Sequence, residues 1–491
     1  MKLMNEHRRY IVGFCDISCR ALIPILFLCL VDLVLPGCVE SDGVVDPVES
    51  PSGRVSVEPL QSEFVLFLSG HWEGQMGPCG CTEHQLGGID RRTHILNSAA
   101  AESRLMLDAG PLIVKENRQA ELKLETFIYS LHQLGYDGLA LSGKEIIMLQ
   151  EKLALDPALR PPIIATNMSA AAREMYSVEP YLEKTLRSDK GEIECLVLAV
   201  IDPSSMLHRR EADKLQLQEP VQSIYEAIGV QQVDPGQTSR DKLIVVLLPD
   251  DNEMLVQSVS QIAALDLVVR VGYGDMPEIS THSNGTPNVA TTGSEGKYVT
   301  QLELSGISGA EVKGGRFSAI AVEEYFALDP KITSILRDYQ LFLQTENLIE
   351  KLPRKALPES DNIFTGSKSC ADCHADIYKV WQEFGHAHAM ETLIEAGRQY
   401  DPECVVCHVV GMEYENGYRS LEETAKFTDV GCEMCHGPGL KHRGNKFSMY
   451  QEQFTECETC HTTHNSPPFH EEREEYFEKI KHWREPRIYW K

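Results

Sequence analysis

The chain has 491 residues, 42% of them hydrophobic and 24% charged, and its 46 Lys and Arg against 73 Asp and Glu leave a formal net charge of −27. That apolar share is enough to bury the cores of two globular domains. The acidic balance repels nucleic acid and favours a basic protein partner.

In chain order, Arg8 and Arg9 precede an apolar run from Ala21 to Leu35 that contains Asp32 and is short for a membrane span. Residues 1–37 read as an export signal. The run closes on Leu35-Pro36-Gly37-Cys38, which resembles a bacterial lipobox and makes Cys38 the expected lipidated residue. A plain cleaved signal and an uncleaved anchor are the alternatives. Residues 38–61 are rich in Asp, Glu, Pro and Gly without a helical or strand period, as in a flexible tether that lifts a body off a membrane.

Residues 62–329 alternate short apolar runs with helical stretches. The spacing predicts strands at Phe64–Leu68, Leu105–Leu107, Gly138–Leu141, Ile163–Ala165, Cys195–Val200, Leu243–Leu248 and Leu267–Val271, and helices at Leu122–Leu134 and Glu253–Leu265. Such alternation implies an α/β layered domain. The order of elements, with Ser69-Gly70-His71, Gly110-Pro111, Gly143-Lys144-Glu145, Pro249-Asp250-Asp251 and Gly272-Tyr273-Gly274-Asp275 at the loop positions, resembles the calcineurin-like metallophosphatases of exported nucleotidases. That family holds two metals through Asp-x-His, Gly-Asp, Gly-Asn-His and Gly-His-x-His segments, and nearly every ligand is missing here. A two-metal hydrolase needs ligands that hold ions about 3.5–4 Å apart, so the resemblance implies a retained scaffold without phosphatase activity.

Gly77-Pro78-Cys79-Gly80-Cys81 in the first loop, followed by Gln85-Leu86-Gly87-Gly88 and Arg91-Arg92, resembles a segment of phosphatase-like domains fused to multihaem cytochromes. Cys79 and Cys81, with His71 and His84 nearby in sequence, could hold copper or zinc. They could also form a redox-active disulfide, strained across one residue, or simply pack a Gly-rich turn. From Pro330 to Leu352, Ile332, Ile335, Leu336, Tyr339, Phe342 and Leu343 recur at helical spacing, and residues 330–361 read as a connecting helix and linker.

Residues 362–491 carry the strongest signal. Eight of the fifteen cysteines form Cys370-Ala-Asp-Cys373-His374, Cys404-Val-Val-Cys407-His408, Cys432-Glu-Met-Cys435-His436 and Cys457-Glu-Thr-Cys460-His461. Two thiols spaced by two residues add to the vinyl groups of haem, and the adjacent His is delivered to the iron. Paired cysteines also build zinc sites, but zinc does not require a His after every pair. Four haem c groups are therefore expected, with His374, His408, His436 and His461 proximal. Their maturation outside the cytoplasmic membrane agrees with an export signal. Of the other cysteines, Cys15, Cys19 and Cys29 fall in the signal, and Cys195 is left in the body beside Cys79 and Cys81.

Six further histidines follow Ile363, and Met390, Met412, Met434 and Met449 are available too, although a Met beside a haem more often packs than ligates. The runs Trp381–Leu393 and Val430–Gly439 followed by His442, with Tyr476–His482 closing the region, resemble the tetrahaem cytochrome c family that carries electrons from hydroxylamine oxidation in nitrifying bacteria. The resemblance implies His386, His388, His442 and His482 as distal ligands, with His464 and His470 in reserve. Spacing does not pair them with haems. A segment this short is expected to use the haems as its core, under short helices and irregular chain. Electron transfer on the outer, periplasmic side of a bacterial membrane is the leading expectation, with a redox partner that docks through a basic surface. The alternative is a haem enzyme acting on a small nitrogen or oxygen species at an open iron position. A hydrolase with an accessory cytochrome is the third reading.

Overall fold

The computed structural model describes residues 63–482 except 80–84, 154, 207–208, 230–241, 273, 275, 281–286, 305–306, 309–310, 313–314, 445–453 and 464. The export signal, Cys38 and the tether lie outside the described residues, as do Cys81, His84, Tyr273, Asp275, Met449 and His464, and the Cys79 side chain.

Each of the seven predicted apolar runs coincides with a strand, four of them running one residue past its end (at Leu141, Ala165, Val200 and Val271), and five more strands complete two six-stranded sheets. In chain order these are β1 (Phe64–Ser69), β2 (Arg104–Asp108), β3 (Gly138–Ala140), β4 (Ile163–Ile164), β5 (Leu182–Ser188), β6 (Gly191–Ala199), β7 (Lys242–Leu248), β8 (Leu267–Arg270), β9 (Ile279–Ser280), β10 (Asn288–Thr291), β11 (Tyr298–Leu304) and β12 (Gly315–Ala321). The first sheet runs β12-β11-β1-β2-β3-β4 and the second β9-β10-β8-β7-β6-β5. β1 to β4 are parallel, as are β6, β7, β8 and β10, while β5, β9, β11 and β12 are antiparallel additions.

Alternation along the strands sorts the side chains. Leu66, Leu68, Leu105 and Leu107 of the first sheet meet Val197, Val245, Leu247 and Val269 of the second in one core. The opposite faces are buried too, which is why these strands read as continuous apolar runs. Leu198, Val246 and Val268 pack under Ile224, Leu255 and Val259. Val65, Phe67 and Met106 on the other side are buried as well, and Phe127 of the helix Arg118–Leu134 lies 5.2 Å from Trp72. The body is thus a layered α/β domain, with helices outside two facing sheets.

Glu145 makes a capping box with Ser142 on the helix Gly143–Met148. Its carboxylate also accepts the amides of Leu112 and Ile113 at 2.6 and 2.9 Å. Burial pushes this carboxyl up from 4.5 to about 7, against the pull of its hydrogen bonds. A folded pKa above the unfolded one means that Glu145 contributes fully below pH 4.5 and loses that contribution as pH rises through 7. The loss is roughly 3 kcal/mol. Urea unfolding between pH 4.5 and 7 is expected to show a downward slope that flattens in Glu145→Gln; equal slopes in the two proteins exclude Glu145 as its source.

The helix Pro330–Glu346 is capped by Asp329, which accepts the amides of Lys331 and Ile332 at 2.8 and 3.2 Å. It does not simply span a gap between halves. Its buried Tyr339 lies 3.1 Å from Gln119 Nε2, and Glu346 takes a two-point ion pair from Arg118. The α/β body and the Cys-rich region belong to one compact unit, Leu60–Lys491. After Asn362 the chain is short helices and irregular segments around a modest cluster of Phe364, Met390, Leu393, Val405, Val410 and Phe427. The region therefore has an apolar core of its own, smaller than the body's.

Candidate functional site

Each Cys-x-x-Cys-His motif winds into a helical turn. The backbone N–H of His374 donates to the Cys370 carbonyl at 2.9 Å, and that of His461 to Cys457 at 2.8 Å. Cys370 starts the helix Ala371–Trp381, which breaks its regular geometry at His374, with φ −121° and ψ 42°. Cys404 lies in the helix Pro402–Val405, capped by Asp401, and Cys432 opens Cys432–His436. None of the eight cysteines is in a disulfide, so all are chemically available for thioether bonds.

The motifs are brought against one another. The Cys370 and Cys432 thiols hydrogen bond, as do those of Cys407 and Cys460. Cys435 lies within electrostatic reach of Cys457. The motifs therefore adjoin in the order first, third, fourth, second.

Three pairs of imidazoles face each other. Ring centroids of His374 and His442 are 6.1 Å apart and nearly parallel, those of His386 and His461 are 6.1 Å apart at 48°, and those of His436 and His482 are 6.0 Å apart at 89°. A metal–imidazole bond is about 2 Å, so two such bonds plus the two nitrogen-to-centroid distances span about 6 Å. Each pair could therefore hold one iron between its rings. Burial, and then the nearby rings of His461 and His408, push His386 down to about 4. Burial also lowers His408, His436 and His461. Neutral rings are what iron ligation requires. Thiols, adjacent imidazoles and facing imidazoles together fit covalently attached haem.

The other candidates stand apart. His388 is exposed, with Nε2 3.0 Å from the Gln382 carbonyl and Nδ1 3.2 Å from Glu391, contacts that raise its pKa. His470 is exposed beside Phe469. Met390 and Met412 are buried in the local apolar cluster, and Met434 packs against it. His408 differs from the other motif histidines: its Nδ1 bonds the Ala389 carbonyl at 2.5 Å, and among the described residues no imidazole faces it.

Sequence reasoning missed Glu433. This buried carboxylate, inside the third motif, accepts the amides of Thr365, Gly366 and Gly439 at 2.9, 2.6 and 2.7 Å. It thereby ties the third motif to the segment entering the first. Its signal was an acid within a Cys-x-x-Cys pair followed by the Gly437-Pro438-Gly439 turn, whose Gly439 amide meets the carboxylate.

At the carboxyl ends of the parallel strands, the segments compared with metallophosphatases make ion pairs with neighbouring residues. His71 Nε2 lies 3.0 Å from Glu73, Lys144 Nζ 2.9 Å from Glu116, and Arg270 Nη2 3.2 Å from Asp251. Among the described residues no three His, Cys, Asp or Glu gather as a metal site. The hairpin Pro78–Cys79 with Leu86–Gly87 bears the Cys79/Cys81 loop.

Residues 369–437 match the family model described as cytochrome c554 and c-prime. The C-terminal region resembles cytochrome c554. Cytochrome c-554 of Nitrosomonas europaea is 36% identical over 101 residues, 18% of this chain and 43% of that protein. The chain thus spans less than half of that curated relative. The homology supports haem c binding and a role in electron transfer. Over the α/β body, similar solved structures include the 5'-nucleotidase precursor of Thermus thermophilus, with 16% identity, TM-score 0.46 and 60% of each chain covered. The calcineurin-like phosphoesterase YfkN of Bacillus subtilis shows 15% identity and TM-score 0.43 over 57% of this chain and 97% of its own.

Proposed function

We propose that this chain carries electrons through four covalently bound c-type haems on the outer side of a bacterial membrane. Cys370 and Cys373, Cys404 and Cys407, Cys432 and Cys435, and Cys457 and Cys460 hold the haems. His374, His408, His436 and His461 are the proximal ligands, with His442, His386 and His482 opposite the first, fourth and third. The three facing pairs at 6.0 to 6.1 Å carry the reading. Haem supplies one-electron chemistry, and two imidazoles keep its potential below that of His/Met ligation. The chain's own work is to fix the rings, exclude a third ligand and set the attachment points side by side. Cys38 anchors the mature protein by lipid, and the net charge of −27 suits a partner with a basic surface. Cys79 and Cys81 remain a proposed soft-metal or redox pair.

A second reading rests on His408, which no imidazole faces among the described residues. There the iron would have an open position for a small nitrogen or oxygen species. Purified mature protein, made in a host that matures c-type haem, is expected to show four haems by pyridine haemochrome. A wholly low-spin spectrum indifferent to carbon monoxide and nitric oxide supports the carrier. Gas binding by one haem of four supports the second reading, and fewer than four haems overturns the count.

A further inference from the structure

The helix Arg118–Leu134 of the α/β body meets the cytochrome region at its second motif. Gln119 Nε2 donates to Asp401 Oδ1 at 2.7 Å. Asp401 is the cap of the helix Pro402–Val405, which carries Cys404. One turn further along, the Lys123 ammonium, its side chain only 8% exposed, is paired with Glu403, the residue beside Cys404. Lys115, just before the helix, reaches the other carboxylate oxygen of Glu403 at 2.9 Å. The contact continues on both sides. Gln344 Nε2 donates to Tyr400 Oη at 3.0 Å, and Arg398 packs so tightly on Gly77 that a Cβ there would lie 1.9 Å from its Nη2.

Two lysines from a phosphatase-like body thus converge on the acid adjoining one haem-binding cysteine, in a chain that is otherwise strongly acidic. A buried lysine is costly unless its charge is used or paired. Charge beside a redox centre shifts its oxidised-to-reduced ratio, and burial strengthens that shift because screening is weak there. We propose that the α/β body sets the potential of the second haem site, with Lys123 as the positioning residue that neutralises Glu403 beside Cys404. This rests on Cys404, Cys407 and His408 holding a haem. It gives the catalytically depleted body a present function: a charged support for one site of the row.

The test uses full-length holoprotein and spectroelectrochemical titration, with the component missing from Cys404→Ser/Cys407→Ser assigned to the second site. Removing the buried lysine charge in Lys123→Gln leaves Glu403 with only the exposed Lys115 as partner and favours the oxidised form. Its oxidised-to-reduced ratio is expected to rise about tenfold, a downward shift of about 59 mV for one electron. Glu403→Gln is expected to shift the same component upward, the double variant to return it near the parent, and Lys123→Arg to hold it there. Mere loosening of the interface does not reverse sign between the two single variants. Shifts of the same sign, or none, with four haems present overturn the proposal even if Lys123→Gln alone fails to fold, since Glu403→Gln and Lys123→Arg remain to be read. A parent protein lacking haem at the second motif overturns the attachment reading instead.

Discussion

If His436 and His482 hold one haem between them, replacing His482 with Ala is expected to convert that site from low spin to a high-spin one that binds carbon monoxide. His482 stands 6.0 Å from His436 with its ring plane turned by 89°, whereas the His374 and His442 planes differ by 15°. The relative orientation of two axial planes governs the splitting of the iron d orbitals. The electron paramagnetic resonance signal that disappears should therefore be the one from crossed planes, leaving that from parallel planes intact. Ala at His388 or His470, both exposed, is expected to leave every signal in place. An unchanged spectrum in His482→Ala removes that residue from the ligand set, and a changed one in His388→Ala brings the other candidate back.

The largest stability loss is expected for Asp108→Ala in the α/β body. Asp108 is fully buried and accepts Ser69 Oγ at 2.6 Å, Trp72 Nε1 at 2.7 Å and the Gly110 amide at 2.9 Å. Close by, the fully buried Arg92 guanidinium lies 4.2 Å from the Trp72 ring and donates to the Gly296 and Tyr298 carbonyls. Removing the carboxylate leaves the Trp72 and Gly110 N–H groups without an acceptor, while Ser69 Oγ keeps Tyr136 Oη at 2.9 Å. Each such donor costs about 1–3 kcal/mol, and the carboxylate's lost packing adds to that. A loss of about 4 kcal/mol is expected in equilibrium unfolding, with Asp108→Asn losing about half because one oxygen still accepts. A loss below about 1 kcal/mol in Asp108→Ala contradicts this account.

The strands that sequence made legible are those buried on both faces, because an unbroken apolar run such as Leu243–Leu248 needs no partner to be recognised. The antiparallel additions were not legible. β5, Leu-Glu-Lys-Thr-Leu-Arg-Ser, is a half-buried edge with Leu186 its one fully buried residue, and a polar edge strand resembles a loop until its neighbour is known. β11 lies between β12 and β1 inside the first sheet, a placement decided by long-range pairing. The site divides the same way. A Cys-x-x-Cys-His motif is a local pattern and could be read residue by residue. Which imidazole faces which is tertiary, and His386 and His388, two residues apart, part company only because one ring turns to His461 and the other to its own backbone and Glu391.

The facing histidines interleave along the chain. His374 of the first motif meets His442, which follows the third; His461 of the fourth meets His386, which precedes the second; and His436 meets His482 near the far end. No pair closes within its own stretch, and each closure brings together segments that the others also span, so the entropy of several long loops is lost together. Ligand binding and folding are coupled where neither ring is held before the other arrives. The order of manufacture follows from this topology. If the three pairs hold haem, thioether attachment would act on an open chain, and the region would then be expected to close in one step instead of site by site.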